Sequence, residues 1–205
     1  MDKFKGILFA ALSAATFGLI PLYANQAILD GVNNETILVY RYGIAGIVYA
    51  IYLLFRRMNM RLTRREVKEV TLAGVGGYGI TAFFLMWSYH YMPTGVATAI
   101  HFFYPVVVAL LMAIFYKERL PLEVKAGIVL AICGVYLLSW TPGEVKWLGL
   151  FFVLMSTVTY GCYITALNRP VLKRMNPDVL TCYVLLFTAL FYGSDLNLTF
   201  LQALA

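Results

Sequence analysis

The sequence predicts an all-α membrane protein, a polytopic helical bundle, and two observations carry that prediction. Hydrophobic residues fill 61% of the 205 positions, charged residues fill 13%, and the mean hydropathy is +0.78. A soluble domain averages roughly 45–50% apolar residues, so a soluble fold could not bury this much apolar surface. The second observation is a series of apolar stretches, most of them close to the roughly 20 residues that cross the hydrocarbon of a bilayer.

Seven apolar stretches follow one another with short polar breaks between them, and the last is the shortest. Backbone groups in lipid must bond to one another, so each stretch is expected to be an α-helix; the alternation of barrel strands is absent. The first stretch begins near Lys3 and Lys5, as a secretory signal would. It is too long for one and further stretches follow, so we interpret it as a retained helix. The predicted spans are 5–29, 36–55, 67–91, 95–116, 124–140, 147–167 and 179–192.

The basic residues alternate between the two sides of the predicted membrane. Lys and Arg gather before span 1 and after spans 2, 4 and 6, whereas the opposite loops hold one base, Lys146. The positive-inside rule therefore predicts a cytoplasmic N-terminus. We expect a multi-pass protein of a plasma membrane, the inner membrane of a bacterium or archaeon. The net charge of +6 is dispersed among loops, so membrane lipid and not nucleic acid is the expected partner.

The chain also repeats itself without gaps at a shift of 143 residues. The first unit is predicted to cover 1–143, with spans 1–5, and the second to begin at 144–205, with spans 6 and 7 and the approach to span 8. An odd number of spans per unit makes the second unit inverted. A complete second unit would pass Ala205, so we expect these residues to belong to a ten-span protein, with a natural seven-span protein as the alternative. The matched pairs include Gly6 with Gly149, Ser13 with Ser156, Thr16 with Thr159, Gly18 with Gly161, and Asn25 with Asn168.

Several motifs resemble those of the EamA family of the drug/metabolite transporter superfamily. They are His101-Phe-Phe-Tyr-Pro105, the loop Lys117-Glu118-Arg119-Leu120, the glycine-rich span 5, Arg41-Tyr-Gly-Ile-Ala45 and Met92-Pro-Thr-Gly-Val-Ala97. The likeness covers the first unit and weakens in the second, where Val184 stands at the position matching Arg41. It implies two inverted five-helix units around a central cavity. It also implies a secondary transporter or exporter of small metabolites, such as amino acids, that works by alternating access without ATP hydrolysis.

Polar side chains at helical spacing mark faces that turn away from lipid. Hydroxyl and aromatic groups without fixed charge suit a cavity that holds a small polar solute loosely. Hydrogen bonding between helices is the alternative for each of them. The candidate substrate-binding residues are His101, Trp87, Thr16, Tyr78, Thr98, Tyr104, Thr159 and Tyr163.

Two charges near span ends, Arg41 and Glu118, are interpreted as structural or gating charges. For Arg41 the alternative is an anchor for an anionic group that enters from outside. No acid lies mid-span, and no catalytic residue, metal site or cofactor is expected. The run 74–79 matches the dinucleotide spacing G-x-G-x-x-G but lies inside an apolar span, so we interpret it, like the glycines of spans 2 and 5, as helix packing.

Other functions are less compatible with the sequence. An intramembrane enzyme would need a nucleophile with a base, or clustered metal ligands, and neither is present. A seven-helix sensor remains an alternative, although its seventh span has no lysine for a retinal Schiff base. A non-transporting assembly subunit and a homo-oligomer also stay open.

Overall fold

A computed structural model describes residues 2–117, 120–139 and 145–204, and it is helical throughout, with no strand among these residues. Ten α-helices and one π-helical segment follow one another along the described chain. They are α1 (Asp2–Leu29), α2 (Asn34–Phe55), α3 (Arg64–Ala73), the π-segment (Gly74–Gly79), α4 (Ile80–Ser88), α5 (Thr94–His101), α6 (Tyr104–Phe115), α7 (Leu122–Ser139), α8 (Trp147–Ala166), α9 (Pro170–Arg174) and α10 (Pro177–Leu204).

Six helical segments of the described chain are long and apolar enough to cross a membrane, and they confirm six of the predicted spans. The third comprises α3, the π-segment and α4, and the fourth comprises α5 and α6. The fifth predicted span, 124–140, is helical as α7, and its end at 140 lies outside the described residues. The six are Gly6–Leu29, Asn34–Phe55, Arg64–Ser88, Thr94–Phe115, Trp147–Ala166 and Pro177–Ser194. The chain is therefore a multi-pass helical membrane protein.

The C-terminal stretch of the described chain continues the last helix. Residues 195–204, expected to approach an eighth span, prolong α10 instead of starting a new segment. No glycine or proline follows Gly193, so no residue there ends the helix. The predicted seventh span, 179–192, is accordingly the N-terminal part of a longer helix.

The outer surface of the bundle is apolar, as contact with lipid requires. Phe9 on α1, Leu54 on α2 and Leu130 on α7 are 69%, 65% and 73% exposed. Exposed apolar surface on this scale is disfavoured in water. Hydrocarbon surrounding these helices removes that cost.

Glycines set the closest approaches between helices. A Cβ on Gly77 would lie 2.8 Å from the Cβ of Tyr163 on α8, and one on Gly46 would lie 2.8 Å from Cδ2 of Leu186 on α10. The packing role predicted for the glycines of spans 2 and 3 is thus confirmed. For span 5 it is not observed, because no described atom lies within 4 Å of a Cβ built on Gly127 or Gly134. The reason is that α7 makes few contacts with the other described helices.

The π-segment exposes backbone carbonyls that side-chain hydroxyls satisfy. Tyr192 on α10 donates to the carbonyl of Gly79 at 2.7 Å. The hydroxyl of Thr188 lies 3.2 Å from the carbonyl of Gly74 and 2.7 Å from that of Val184 in its own helix, so the two carbonyls share its one proton. A single π-turn shifts the bonding register and leaves carbonyls without a helical partner. Since water is scarce in a bilayer, these hydroxyls fix α10 against the third span.

The fourth span is interrupted between His101 and Tyr104. Pro105 has no N–H to give the carbonyl of His101, and α6 restarts at Tyr104 with Pro105 in its first turn. The amide of Val106 bonds to the carbonyl of Phe103 at 3.0 Å, three residues back. The break lies in the middle of the span and changes the direction in which His101 and Tyr104 project.

The orientation in the membrane can be measured by cysteine labelling. In a variant whose Cys133, Cys162 and Cys182 are replaced by alanine, we expect Asn33→Cys to react with an impermeant maleimide in intact cells. Arg61→Cys should react only after permeabilisation, because the positive-inside rule places the basic loops on the cytoplasmic side. Both positions are exposed, so reactivity reports the side of the membrane. Labelling of Arg61→Cys in intact cells would contradict the predicted cytoplasmic N-terminus.

Candidate functional site

A group of aromatic side chains occupies the interior between the third span, the fourth span and α8. The ring of Tyr160 lies 4.6 Å from that of Tyr104, 5.8 Å from Tyr163 and 6.3 Å from Tyr78. Tyr78 in turn lies 5.4 Å from both Tyr42 and Tyr163. We call these five tyrosines the tyrosine cluster. It joins four separate spans at a depth where lipid-facing surfaces carry apolar groups.

His101 completes this aromatic group from the break in the fourth span. Its side chain is 3% exposed, and its ring lies 5.3 Å from that of Tyr160. Its Nδ1 lies 3.0 Å from the hydroxyl of Ser156, which itself donates to the carbonyl of Val153. A hydroxyl has one proton to donate, so Nδ1–H is the donor to Ser156, and this assigns Nε2 as the acceptor nitrogen of the neutral ring.

A cavity of about 40 Å³, which we call the tyrosine cavity, lies beside the cluster. A second, wider cavity of about 460 Å³, the α1 cavity, lies between α1, α2 and α4. The tyrosine cavity is lined by Arg41, Tyr42, Tyr78, Thr81, Ala82, Leu85, Met86, Tyr89, His101 and Tyr160. The α1 cavity is lined by Thr16, Leu19, Ile20, Tyr23, Ala24, Ile37, Arg41 and Met86. Arg41 and Met86 belong to both, so they separate the two spaces.

One end of the molecule is formed by residues 56–63 and by residues 167–176, which include α9; we call it the basic end. A third cavity, of about 290 Å³, opens toward this basic end. Tyr163 and Gly77 lie at its inner limit, and Arg169 and Glu69 line it further out. The Nη1 of Arg169 lies 3.0 Å from Oε2 of Glu69. That ion pair joins α3 to the segment after α8.

The structure brings together only part of the residues predicted from sequence. Tyr78 and His101 line the tyrosine cavity, and Tyr104 and Tyr163 pack in the adjoining cluster. Thr159 reaches the cavity indirectly, since its hydroxyl lies 2.9 Å from that of the cavity residue Thr81.

The other predicted residues lie further from this group. Thr98 is buried, and its hydroxyl lies 3.3 Å from that of Tyr89 and donates to the carbonyl of Thr94. Thr16 is exposed and lines the α1 cavity. Trp87 is absent from the linings of the tyrosine and α1 cavities, and its Nε1 is buried with no hydrogen-bond partner among the described residues.

Arg41 lies between the two inner cavities, and its guanidinium carbon stands 5.3 Å from the centre of the Tyr42 ring. Cation–π attraction of this kind stabilises a guanidinium where water is scarce. Glu118, the other predicted structural or gating charge, lies outside the described residues.

Three tyrosines of the cavity or the cluster were not selected from sequence: Tyr42, Tyr89 and Tyr160. Tyr160 carried a usable signal, because it stands four residues after Ser156 and three before Tyr163. These spacings place residues on one helical face. For Tyr42 and Tyr89 the sequence offered no comparable pattern, since the face that a helix turns inward depends on its neighbours.

The fold and this interior define the class: a multi-pass helical membrane protein with an aromatic cavity, bordered by one arginine, inside its bundle. Residues 4–140 match the EamA-like transporter family. The chain belongs to that family, as the sequence motifs predicted.

Curated relatives agree with this membership. An uncharacterized transporter of Archaeoglobus fulgidus is 29% identical over 141 residues, which are 69% of this chain and 49% of the relative. A probable terminal-alkyne amino-acid exporter of Streptantibioticus cattleyicolor is 27% identical over 159 residues, 77% of this chain and 52% of the relative. A WAT1-related protein of Arabidopsis thaliana is 24% identical over 152 residues, 70% of this chain and 42% of the relative. The chain spans about half the length of the curated relatives it matches. No solved structure matches it.

Proposed function

We propose that the complete gene product is a secondary transporter that moves small polar metabolites, amino acids in particular, across a plasma membrane without ATP hydrolysis. The observation that carries the proposal is the tyrosine cavity, a space lined by hydroxyls, an imidazole and a guanidinium inside an apolar bundle. Polar groups inside a membrane are costly and mark substrate pathways when they line a cavity. Membership of the EamA-like transporter family supports transport, and the name of the Streptantibioticus relative supports amino acids.

The separation of the cavities supports alternating access. Tyr163 stands between the basic-end cavity, which it lines, and Tyr78 of the tyrosine cavity, 5.4 Å away between ring centres. A solute in the tyrosine cavity would have to pass this ring contact to reach the basic end. In a rocking-bundle mechanism the movement of α8 against the third span would open and close that path, with the two inverted units predicted from sequence as the moving parts.

The proposal is tested by flux into proteoliposomes that contain the complete gene product. Labelled amino acids, nucleosides and cationic drugs are supplied with and without a proton gradient and without ATP. We expect saturable uptake of amino acids. Tyr160→Ala should lower this uptake about tenfold or more, which corresponds to a loss of at least about 1.4 kcal/mol of binding free energy.

The matched control is Tyr40→Ala, since Tyr40 lies on α2 at 65% exposure, away from the cluster. It should transport as the unaltered protein does. Absence of saturable flux for every class of solute would overturn the proposal. Flux of nucleosides alone would show that the substrates are nucleosides and not amino acids.

A further inference from the structure

Arg41 is a charge between the tyrosine cavity and the α1 cavity, and no carboxylate of the described residues neutralises it. It lies about two turns into α2, which begins at Asn34. The ion pair found among the described side chains joins Arg169 to Glu69, and no described carboxylate lies within ion-pair distance of Arg41. An intramembrane arginine normally pairs, faces water or serves a ligand. The ring of Tyr42 offers it attraction but no charge.

The position of Arg41 gives that charge access to two spaces of different chemistry. On one side is the tyrosine cavity with its hydroxyls, and on the other is the α1 cavity of about 460 Å³. The α1 cavity is walled mostly by apolar side chains such as Leu19, Ile20 and Ile37. A single solute beside Arg41 would therefore meet a cation, hydrogen-bonding groups and an apolar wall.

We propose that Arg41 binds the carboxylate of the transported solute, whose apolar part lies in the α1 cavity; this rests on the transport function proposed above. A guanidinium presents two parallel N–H groups that match the two oxygens of a carboxylate. Arg41 is the one Lys or Arg among the residues lining the two cavities. The substrate class is thus an amphipathic carboxylate, an amino acid with an apolar side chain being the simplest.

The repeat in the sequence agrees with a single anchoring charge. The position that matches Arg41 in the second unit is Val184, which is buried at 2% exposure against the third span. Of these two matched positions, a carboxylate therefore finds a cation at Arg41 and none at Val184. Cationic solutes without a carboxylate would be repelled from the same place.

The test measures equilibrium binding of three labelled probes to the purified complete gene product. The probes share a phenyl ring: L-phenylalanine, 3-phenylpropionate with only the carboxylate, and 2-phenylethylamine with only the amine. We expect both carboxylates to bind at least about tenfold more tightly than the amine, since a charge-assisted pair contributes more than a neutral hydrogen bond.

Substitution then locates the effect. Arg41→Gln should weaken carboxylate binding about tenfold or more, and Arg41→Lys should fall between, because an ammonium lacks the planar fork. Arg61→Gln, in an exposed loop at the basic end, should bind as the unaltered protein. Thermal unfolding establishes that each variant folds. If Arg41→Gln does not fold, the ranking of the three probes on the unaltered protein decides.

Equal binding of amine and acids, absence of acid binding, or undiminished acid binding by folded Arg41→Gln would each overturn the inference. Flux distinguishes this failure from that of the transport function. Saturable flux of a solute without a carboxylate, with no acid bound, leaves transport standing and removes the anchor. Acid binding that depends on Arg41, without flux of any solute, would keep the anchor and remove the transport function.

Discussion

Replacing Gly77 by alanine is expected to destabilise the folded protein by about 1–3 kcal/mol, the usual cost of forcing an extra methyl group into a packed interior. The new Cβ would lie 2.8 Å from the Cβ of Tyr163 and 3.3 Å from its Cα. These atoms belong to or adjoin the backbone of α8, so a rotamer change cannot relieve the contact. The helix would have to move away from the third span. Thermal unfolding in detergent measures the loss as a lower melting temperature.

The neighbouring glycine provides the matched control. A Cβ on Gly76 would meet Cδ1 of Leu72 at 3.6 Å, an ordinary contact at the end of a flexible side chain. Gly76→Ala should leave stability unchanged or raise it by up to about 1 kcal/mol, because alanine favours the helix over glycine. Both substitutions add one methyl group, at adjacent positions, and we expect only Gly77→Ala to lower the stability. Equal stabilisation by both would show that α8 does not pack against the π-segment as described.

His101→Asn is expected to lower transport by about two- to tenfold while the protein folds normally. The asparagine amide can take over the donation that Nδ1–H makes to Ser156 at 3.0 Å, but it has no group at the position of Nε2. A lost hydrogen bond to a solute costs about 0.5–1.5 kcal/mol, and the upper value corresponds to roughly tenfold. The measurement is initial flux into proteoliposomes at limiting solute, compared with the melting temperature of the same preparation.

The chain contains one other histidine, His90, which gives the control. It is exposed and bonds to Asn34 by Nε2 at the end opposite the basic loops. His90→Asn should transport as the unaltered protein does. Full transport by folded His101→Asn would remove the imidazole from the substrate site and leave it a role in packing.

The features that depend on chain length and local chemistry could be predicted from the sequence. The lengths of the apolar stretches predicted six spans that the described chain confirms. Unpaired backbone groups are costly in lipid, so each of these stretches was expected to be an α-helix. Glycines of the second and third spans predicted close helix contact, and Gly46 and Gly77 make it. The irregularity beside His101 also has a local cause, the missing N–H of Pro105.

The composition of the cavity could be predicted only in part. Tyr78 and His101 were selected because polar groups in an apolar helix tend to face inward. Tyr42 and Tyr89 were missed because helix rotation about its axis is set by neighbouring helices and not by the residues of the helix alone. The π-segment adds to this difficulty, since its wider turn shifts the facing of every residue after Gly79 relative to a regular α-helix.

The contact between Gly77 and Tyr163 has a mechanical consequence. At the opposite end the third span stays close to α8 through the turn that follows it, where a Cβ on Gly149 would lie 2.8 Å from the Cβ of Tyr91. Toward the basic end they diverge around the 290 Å³ cavity and are joined by the exposed Arg169–Glu69 ion pair. Exposed pairs contribute about 0–1 kcal/mol. The stronger attachment of this arm is Val70, which is fully buried in an apolar cluster with Leu172 and Leu180. With Gly77 as fulcrum and a rise of about 1.5 Å per residue, a tilt of about 10° would displace the end of the arm near Glu69 by about 2 Å. A displacement of that size would separate the ion pair, and it would also shift Val70 against Leu172 and Leu180.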